Sequence, residues 1–307
     1  MIVTFIAAVS LSVIFFAAAH DIKLSNHKYV FTVLRISGIF SFILIIFSGV
    51  RLSLDLDTNT PLASVLPSPV FLQKKITPIF GCVNIPILTY HYVEYVKDEK
   101  DTIRQSLNIN PDIFENQVKT LKENGYQLYF VSDIPKILAG EIPVASKSAV
   151  LTFDDGHWDF VTDVLPILKK YKTKATVYII VNYLNGSDFM SEDQLKELTK
   201  EPLVEIGSHT LSHNSLASAS ASWATKEISE SKQKLEQLLG IKINSFAYPY
   251  GGYNQKDEEI LKNASYTAAV STKKGVCQSS DRIFDLYRIK AGRLTDADFI
   301  RFIERPY

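Results

Sequence analysis

Ala149-Val150-Leu151-Thr152-Phe153-Asp154-Asp155-Gly156 is the stretch on which the reading of this chain turns. An apolar, β-prone run ends in two adjacent carboxylates, and a glycine then turns the chain away. Desolvating paired acids at the end of a buried strand costs several kcal/mol unless a cation or proton compensates. A bound cation would make the pair stable and give the acids different tasks, one as ligand and one as base. Asp-Asp-Gly is also an ordinary turn sequence, so the stretch does not decide the matter alone.

The six histidines supply the remaining ligands. His209 and His213 form Ser-His-Thr-Leu-Ser-His, directly after the apolar run Leu203–Gly207. Their i, i+4 spacing predicts two imidazoles on one helical face, within reach of one ion. With Asp155 they make a three-ligand set that leaves positions open for water and substrate. That pattern is catalytic rather than structural. A His pair of this spacing also arises by chance.

The chain has 307 residues, zero formal net charge and a pI near 7.0, which argues against a nucleic-acid partner. Its apolar residues concentrate at the N-terminus. Met1–Ala19 carries no charged side chain, and Tyr29–Val50 is interrupted only by Arg35. Each run is close to the ~20 residues that span a bilayer. Lys23 and Lys28 lie between them, so the positive-inside rule puts that loop in the cytoplasm and everything after Val50 outside the cell membrane. A signal peptide cleaved near Ala17-Ala18-Ala19 is the competing reading. The expected organisation is a transmembrane helical hairpin over 1–50, an extracytoplasmic linker over 51–80 and a catalytic domain over 81–307. Cys82 and Cys277 are the only cysteines, near the two ends of that domain. They are either a disulfide or two unrelated small core residues.

From residue 81 onward, short β-like runs alternate with amphipathic ones. Strands are expected at Ile85–Tyr90, Gln127–Val131, Ala149–Phe153, Ala175–Val181, Val204–Gly207, Ser245–Tyr248, Thr267–Ser271 and Leu286–Ile289. Helices are expected at Phe114–Asn124, Trp158–Tyr171 and Trp223–Leu239, and after the capping box Ser191-Glu192-Asp193-Gln194. Such alternation predicts an α/β fold with parallel strands and crossover helices, and seven or eight units suggest a barrel. Catalytic groups of such barrels sit at the C-terminal strand ends. His91, Asp154, Asp155, His209 and Pro249-Tyr250 all fall there.

Thr-Phe-Asp-Asp-Gly, Ser-His-x-x-x-His and Tyr-Pro-Tyr-Gly together resemble the polysaccharide deacetylase family, carbohydrate esterases of the NodB-homology type. The resemblance covers roughly Gly81 to Arg293. It implies a distorted (β/α) barrel and metal-dependent removal of N-acetyl groups from sugars. On this match Asp154 is the general base and Asp155, His209 and His213 are the metal triad. The Pro249-Tyr250 segment is the loop whose backbone N–H holds the oxyanion, with Tyr248 beside it. Two departures stand out. Ala247 and Tyr248 occupy the place of the family's arginine, and no histidine follows His213 to act as the usual acid. The start Pro86-Ile87-Leu88-Thr89-Tyr90-His91 resembles the poly-β-1,6-N-acetylglucosamine deacetylase branch. In that branch the barrel, seven-stranded here, is circularly permuted and the acid histidine comes first. His91 takes that role. Arg288 is the candidate for orienting Asp154 in place of the missing arginine, and an edge salt bridge is its other reading.

The resemblance implies a divalent ion, Zn²⁺ foremost with Co²⁺ or Ni²⁺ as alternatives, and an N-acetylglucosamine-containing surface polysaccharide as substrate. A polysaccharide synthase is a further candidate partner at the membrane. Two rivals remain. One is a hydrolase of O-acetyl esters or non-sugar amides on the same fold. The other is a non-catalytic, membrane-anchored glycan-binding relative. Elsewhere, His157 reads as an exposed or core-edge histidine rather than a substrate contact. Trp158 and Trp223 read as helix-face core. Tyr248, Tyr250 and Tyr253 are better placed to stack on sugar rings. His20 and His27 fall in or beside the membrane hairpin.

Overall fold

The computed structural model describes residues 81–305, apart from Lys97 and Glu99. The expected membrane hairpin and linker, with His20 and His27, lie outside the described residues. Among the described residues no helix is long and apolar enough to cross a membrane.

Among the described residues eleven strands are formed, β1 (Cys82–Asn84), β2 (Ile87–Tyr90), β3 (Tyr92–Val93), β4 (Asn108–Ile109), β5 (Gln127–Tyr129), β6 (Ser148–Phe153), β7 (Ala175–Ile179), β8 (Val204–Ser208), β9 (Ser245–Ala247), β10 (Ala268–Val270) and β11 (Cys277–Ser279). Seven of them make one parallel sheet in the order β10-β9-β8-β7-β6-β2, with β5 pairing the first half of β6. Every residue of β6 and β7 is buried, as expected of strands covered on both faces.

The sheet is distorted and barrel-like. Leu286–Ile289 lies between its two edges, with one parallel bridge from Val270 to Leu286 and another from Leu88 to Ile289. Backbone bonds follow on both sides. Leu286 donates to Ala269 O at 2.9 Å, and Ile289 donates to Ile87 O at 2.9 Å. The segment predicted as a strand is therefore a single-residue staple to each neighbour rather than a ladder.

Alternate strand residues divide between two apolar clusters. Leu151, Phe153, Val177 and Ile206 pack beneath the helices. Val150, Tyr178, Ala247, Val270 and Leu286 form the other cluster, capped by Val131, Ile134 and Ile137. Tyr178 is fully buried, and Gly207 leaves room for it: a Cβ at Gly207 would lie 2.5 Å from the Tyr178 ring. Crossover helices follow the sequence signals. Pro111–Glu123 starts with a proline in its first turn and buries Phe114, Val118 and Leu121. Glu192–Leu198 opens on the Ser191 capping box. The long amphipathic stretch after Trp223 is broken up: Ala221–Thr225, a π-helical turn over Lys226–Glu230, then Ser231–Leu239. β1 and β11 pair antiparallel, and a disulfide joins Cys82 to Cys277 across them.

Candidate active site

β6 delivers Asp154 and Asp155 to the strand-end rim. Asp154 N donates to Tyr90 O at 3.0 Å, which fixes the end of β6 against the end of β2. Asp155 and Gly156 then both take positive φ, 74° and 78°. Aspartate tolerates this left-handed conformation better than most residues. The turn sends the two carboxylates in different directions.

The Asp154 carboxylate is 4% exposed and gripped by Arg288 through both oxygens, Nη1 to Oδ1 at 2.7 Å and Nη2 to Oδ2 at 2.8 Å. Arg288 Nε donates to Ser271 O at 2.9 Å, so the guanidinium plane is fixed. Burial favours the neutral acid. The charges of Arg288 and His209 and the Arg288 hydrogen bonds outweigh it and hold the Asp154 carboxyl below its ordinary range. His91, just beyond β2, places Nε2 4.0 Å from Asp154 Oδ2. Burial lowers the His91 pKa, opposed by the charges of Asp154 and Asp155. Nδ1 of His91 is buried without a hydrogen-bond partner.

Asp155 Oδ1 faces His209 Nε2 at 3.5 Å and His213 Nε2 at 3.2 Å. The three ligating atoms lie within 4.8 Å of one another. The donor chemistry suits a divalent cation. His209 Nδ1 sits 2.7 Å from Ala247 O, so its proton belongs there and Nε2 turns a lone pair towards the carboxylate. Asp155 Oδ1 is itself buried with no hydrogen-bond partner. Lone pairs of an imidazole and a carboxylate face each other favourably only when a cation or a proton lies between them. The imidazoles of His157, His209 and His213 outweigh burial and hold the Asp155 carboxyl well below its ordinary range.

The histidine pair is not on a helix. His209 follows β8 directly, and its N–H donates to Ile179 O at 2.9 Å. Thr210 and His213 take φ of 70° and 59°, and the four-residue spacing is closed by a loop. Glu227, in the π-helical turn, holds that loop. Its carboxylate accepts from Leu211 N and Ser212 N, both at 2.9 Å, and from Ser212 Oγ at 2.8 Å.

Tyr250 projects from the rim, 70% exposed, with φ 59° and its ring 4.7 Å from that of His213. Pro249 is buried in the same tight turn. Tyr248 cannot stack on a sugar. It is fully buried, packs against Tyr253 at 4.3 Å and donates its hydroxyl to Phe284 O. Tyr253 is partly buried, with its hydroxyl 2.7 Å from Lys273 Nζ. Trp223 packs partly buried against the core, whereas Trp158 is 37% exposed. His157 is buried rather than exposed, at 4% exposure, with Nε2 3.4 Å from Asp155 Oδ2.

A sequence model described as polysaccharide deacetylase matches residues 141–269. The Streptococcus pyogenes deacetylase PplD, solved in complex with acetate, is 31% identical. The match covers 73% of this chain and all of that one, with a TM-score of 0.67. The Bacillus subtilis (strain 168) protein YxkH is 28% identical over 207 residues, 67% of this chain and 71% of its own. A poly-beta-1,6-N-acetyl-D-glucosamine N-deacetylase of Staphylococcus aureus is 26% identical over 215 residues, 66% of this chain and 72% of that one. The chain belongs to the polysaccharide deacetylase family of hydrolases. Its Asp155-His209-His213 cluster is consistent with that family's divalent metal site.

Proposed function

We propose that this chain removes N-acetyl groups from an N-acetylglucosamine-containing surface polysaccharide, outside the cell membrane. The observation that carries the reading is the pairing of unlike carboxylates. Asp154 is locked to Arg288, while Asp155 faces two imidazoles. One acid is thereby kept as a base and the other as a ligand. The curated relative whose name specifies poly-beta-1,6-N-acetyl-D-glucosamine supports the choice of substrate.

Asp155, His209 and His213 would hold the ion, and the mixed nitrogen and oxygen donors favour Zn²⁺. When bound, a divalent cation supplies Lewis-acid polarisation of the acetamide carbonyl and acidifies a water. Asp154 takes a proton from the attacking water, and Arg288 keeps its carboxylate in plane for that transfer. The Tyr250 backbone N–H stabilises the oxyanion. His91 gives a proton to the departing amine as the C–N bond breaks, leaving acetate and a glucosamine unit. β2 lies beside β6 in the sheet, so an acid supplied from the end of β2 reaches the same rim as the base. That adjacency supports the circularly permuted reading. The apolar runs before residue 51 support a membrane anchor with the 81–307 domain outside.

The test is acetate release by the purified full-length chain from defined N-acetylglucosamine oligomers and from O-acetylated glycans. Each is assayed after chelation and after adding back Zn²⁺. Release from the N-acetylated oligomers, lost on chelation and absent in Asp154→Asn, is expected. Release from O-acetylated glycans alone would overturn the proposal.

A further inference from the structure

Tyr183 is among the few large side chains left exposed in the described residues, at 37%, and it stands beside a ligand of the candidate metal site. Its ring lies 6.5 Å from that of His213, and the ring of Tyr250 lies 4.7 Å from the same imidazole. His213 is itself partly open to solvent. The mechanism above uses the Tyr250 backbone and leaves the Tyr183 ring without a task. We propose that Tyr183 is a substrate-binding residue whose ring stacks on the sugar unit next to the one being deacetylated. This inference rests on the deacetylase reading above and names a subsite of that same site.

A pyranose has apolar C–H faces and a hydroxyl-bearing edge. A tyrosine offers the matching pair, a flat apolar face and a polar tip. A stacking ring must also be held in place before the sugar arrives, or the cost of ordering it offsets the contact. Tyr183 meets that condition. It ends the short turn Val181–Tyr183 that follows β7. Val181 N donates to Thr210 O at 3.2 Å and Asn182 N to Leu211 O at 2.9 Å, which ties the turn to the loop carrying His213. Gly186 N donates to Tyr183 O at 3.0 Å. The Tyr183 ring meets Phe189 edge-on at 4.9 Å, Phe189 stacks on the buried His157 at 4.9 Å, and His157 stacks on Tyr92 at 3.9 Å. The Tyr250 turn is anchored to the same histidine loop, since Leu216 N donates to Gly252 O at 3.1 Å. An arc of ring contacts therefore runs from Tyr92, next to His91, to Tyr250, and it passes the ligand His213 on the way. Tyr183 and Tyr250 are the exposed members of that arc. A single exposed aromatic is ordinary on a protein surface. Two against one ligand imidazole, on turns anchored to one loop, make a shaped surface. A sugar whose acetamide reaches the ion brings its neighbour in the polymer to that surface.

Two variants separate the ring face from everything else. Tyr183→Ala removes the ring, and Tyr183→Phe keeps it without the hydroxyl. In the full-length chain, acetate release from a β-1,6-linked N-acetylglucosamine pentamer gives kcat and KM. Titration calorimetry of the same pentamer on the Asp154→Asn background gives binding without turnover. Zn²⁺ affinity, by competition with a chromogenic chelator, reports whether His213 has been disturbed. The expected result for Tyr183→Ala is a KM raised about 10-fold, with the loss carried by KM rather than kcat. Pentamer binding on the Asp154→Asn background should weaken by a similar factor, with Zn²⁺ affinity at the wild-type value. Tyr183→Phe should recover most of the loss. Wild-type KM and pentamer binding in Tyr183→Ala overturn the inference while leaving the deacetylase reading intact. Equal losses in Tyr183→Phe and Tyr183→Ala also overturn it, because the hydroxyl and not the ring face would then be the contact. Weakened Zn²⁺ binding in Tyr183→Ala overturns it as well, since the ring would then serve His213 and not the sugar. A wild-type chain that releases no acetate from the pentamer overturns the deacetylase reading and this inference together.

Discussion

Arg288 and Asp154 meet through two guanidinium nitrogens and both carboxylate oxygens, although 134 residues separate them along the chain. Both are almost wholly buried, Arg288 at 3% exposure and Asp154 at 4%. Truncating either leaves the other as an unpaired buried charge. Arg288→Ala is expected to destabilise the domain by about 3–5 kcal/mol and to lower kcat on the order of a hundredfold or more. Arg288→Lys keeps a charge but not the planar fork, and should fall between. Urea unfolding and acetate release measure the two effects. Wild-type kcat in Arg288→Ala would remove Arg288 from the mechanism.

His91 approaches Asp154 from the end of β2, and its assignment as the acid is separable from metal binding. His91→Ala should lower kcat by about 10²–10⁴-fold with bound metal unchanged. Metal analysis alongside steady-state rates checks this. A stoichiometric loss of metal would reassign His91 as a ligand.

Glu227 stands behind the histidine loop rather than in the site. Glu227→Ala strips three acceptor contacts from the loop between His209 and His213. The expected cost is on the order of 3 kcal/mol, since buried donors are left without partners. Zn²⁺ binding should weaken with it. Glu227→Gln keeps one acceptor oxygen and should lose less in both measurements.

Asp159 gives a pH signature of its own. It is 2% exposed, accepts from Val93 N through Oδ2, and has no partner at Oδ1. Burial pushes its pKa up to about 6, from 3.8. The folded state therefore holds the proton more tightly than the unfolded chain. The resulting stabilisation is complete below pH 3.8 and is lost as pH rises through about 6. It amounts to roughly 3 kcal/mol at most. Asp159→Asn has no such titration. The stability of wild type relative to this variant should fall between pH 4 and 7, as read by urea unfolding at several pH values. A flat difference would refute the burial argument.

The disulfide ties β1 to β11 across 195 residues of chain. Replacing Cys82 and Cys277 together by serine should cost about 2–5 kcal/mol. Thiol labelling of the unfolded, unreduced protein should find no free cysteine. Two labelled thiols would show the pair to be unlinked.

The short motif around Asp154 and Asp155 was legible because strand, acids and glycine turn are contiguous, and their chemistry is written into one stretch. His209 and His213 were recognised for the right proximity but the wrong conformation. Four-residue spacing brings side chains together on a helix, and it also does so in a loop held by left-handed residues and one buried carboxylate. Glu227 left no trace in the sequence, since a lone glutamate in an amphipathic stretch reads as solvent-facing. The burial of His157 is hidden for a similar reason. Its burial is produced by Tyr92 and Phe189, which are remote in sequence. Tyr248 looked like a rim aromatic because it adjoins Pro249 and Tyr250, yet strand alternation turns it inward beside Phe246. Arg288 could be named only as a candidate, because its meeting with Asp154 depends on Leu286–Ile289 bridging the two edges of the sheet.

That closure bears on biosynthesis. A ribosome that has released residues up to Asp285 has already supplied Asp154, Asp155 and the imidazoles of His209 and His213. Asp154 still lacks the Arg288 guanidinium, and the sheet still lacks the segment that bridges its two edges. A chain truncated after Asp285 is therefore expected to bind little or no metal and to hydrolyse nothing, a result that pull-down of stalled chains on a metal resin could contradict. Until the Arg288 guanidinium has been delivered, the growing polypeptide is expected to stay silent as a hydrolase.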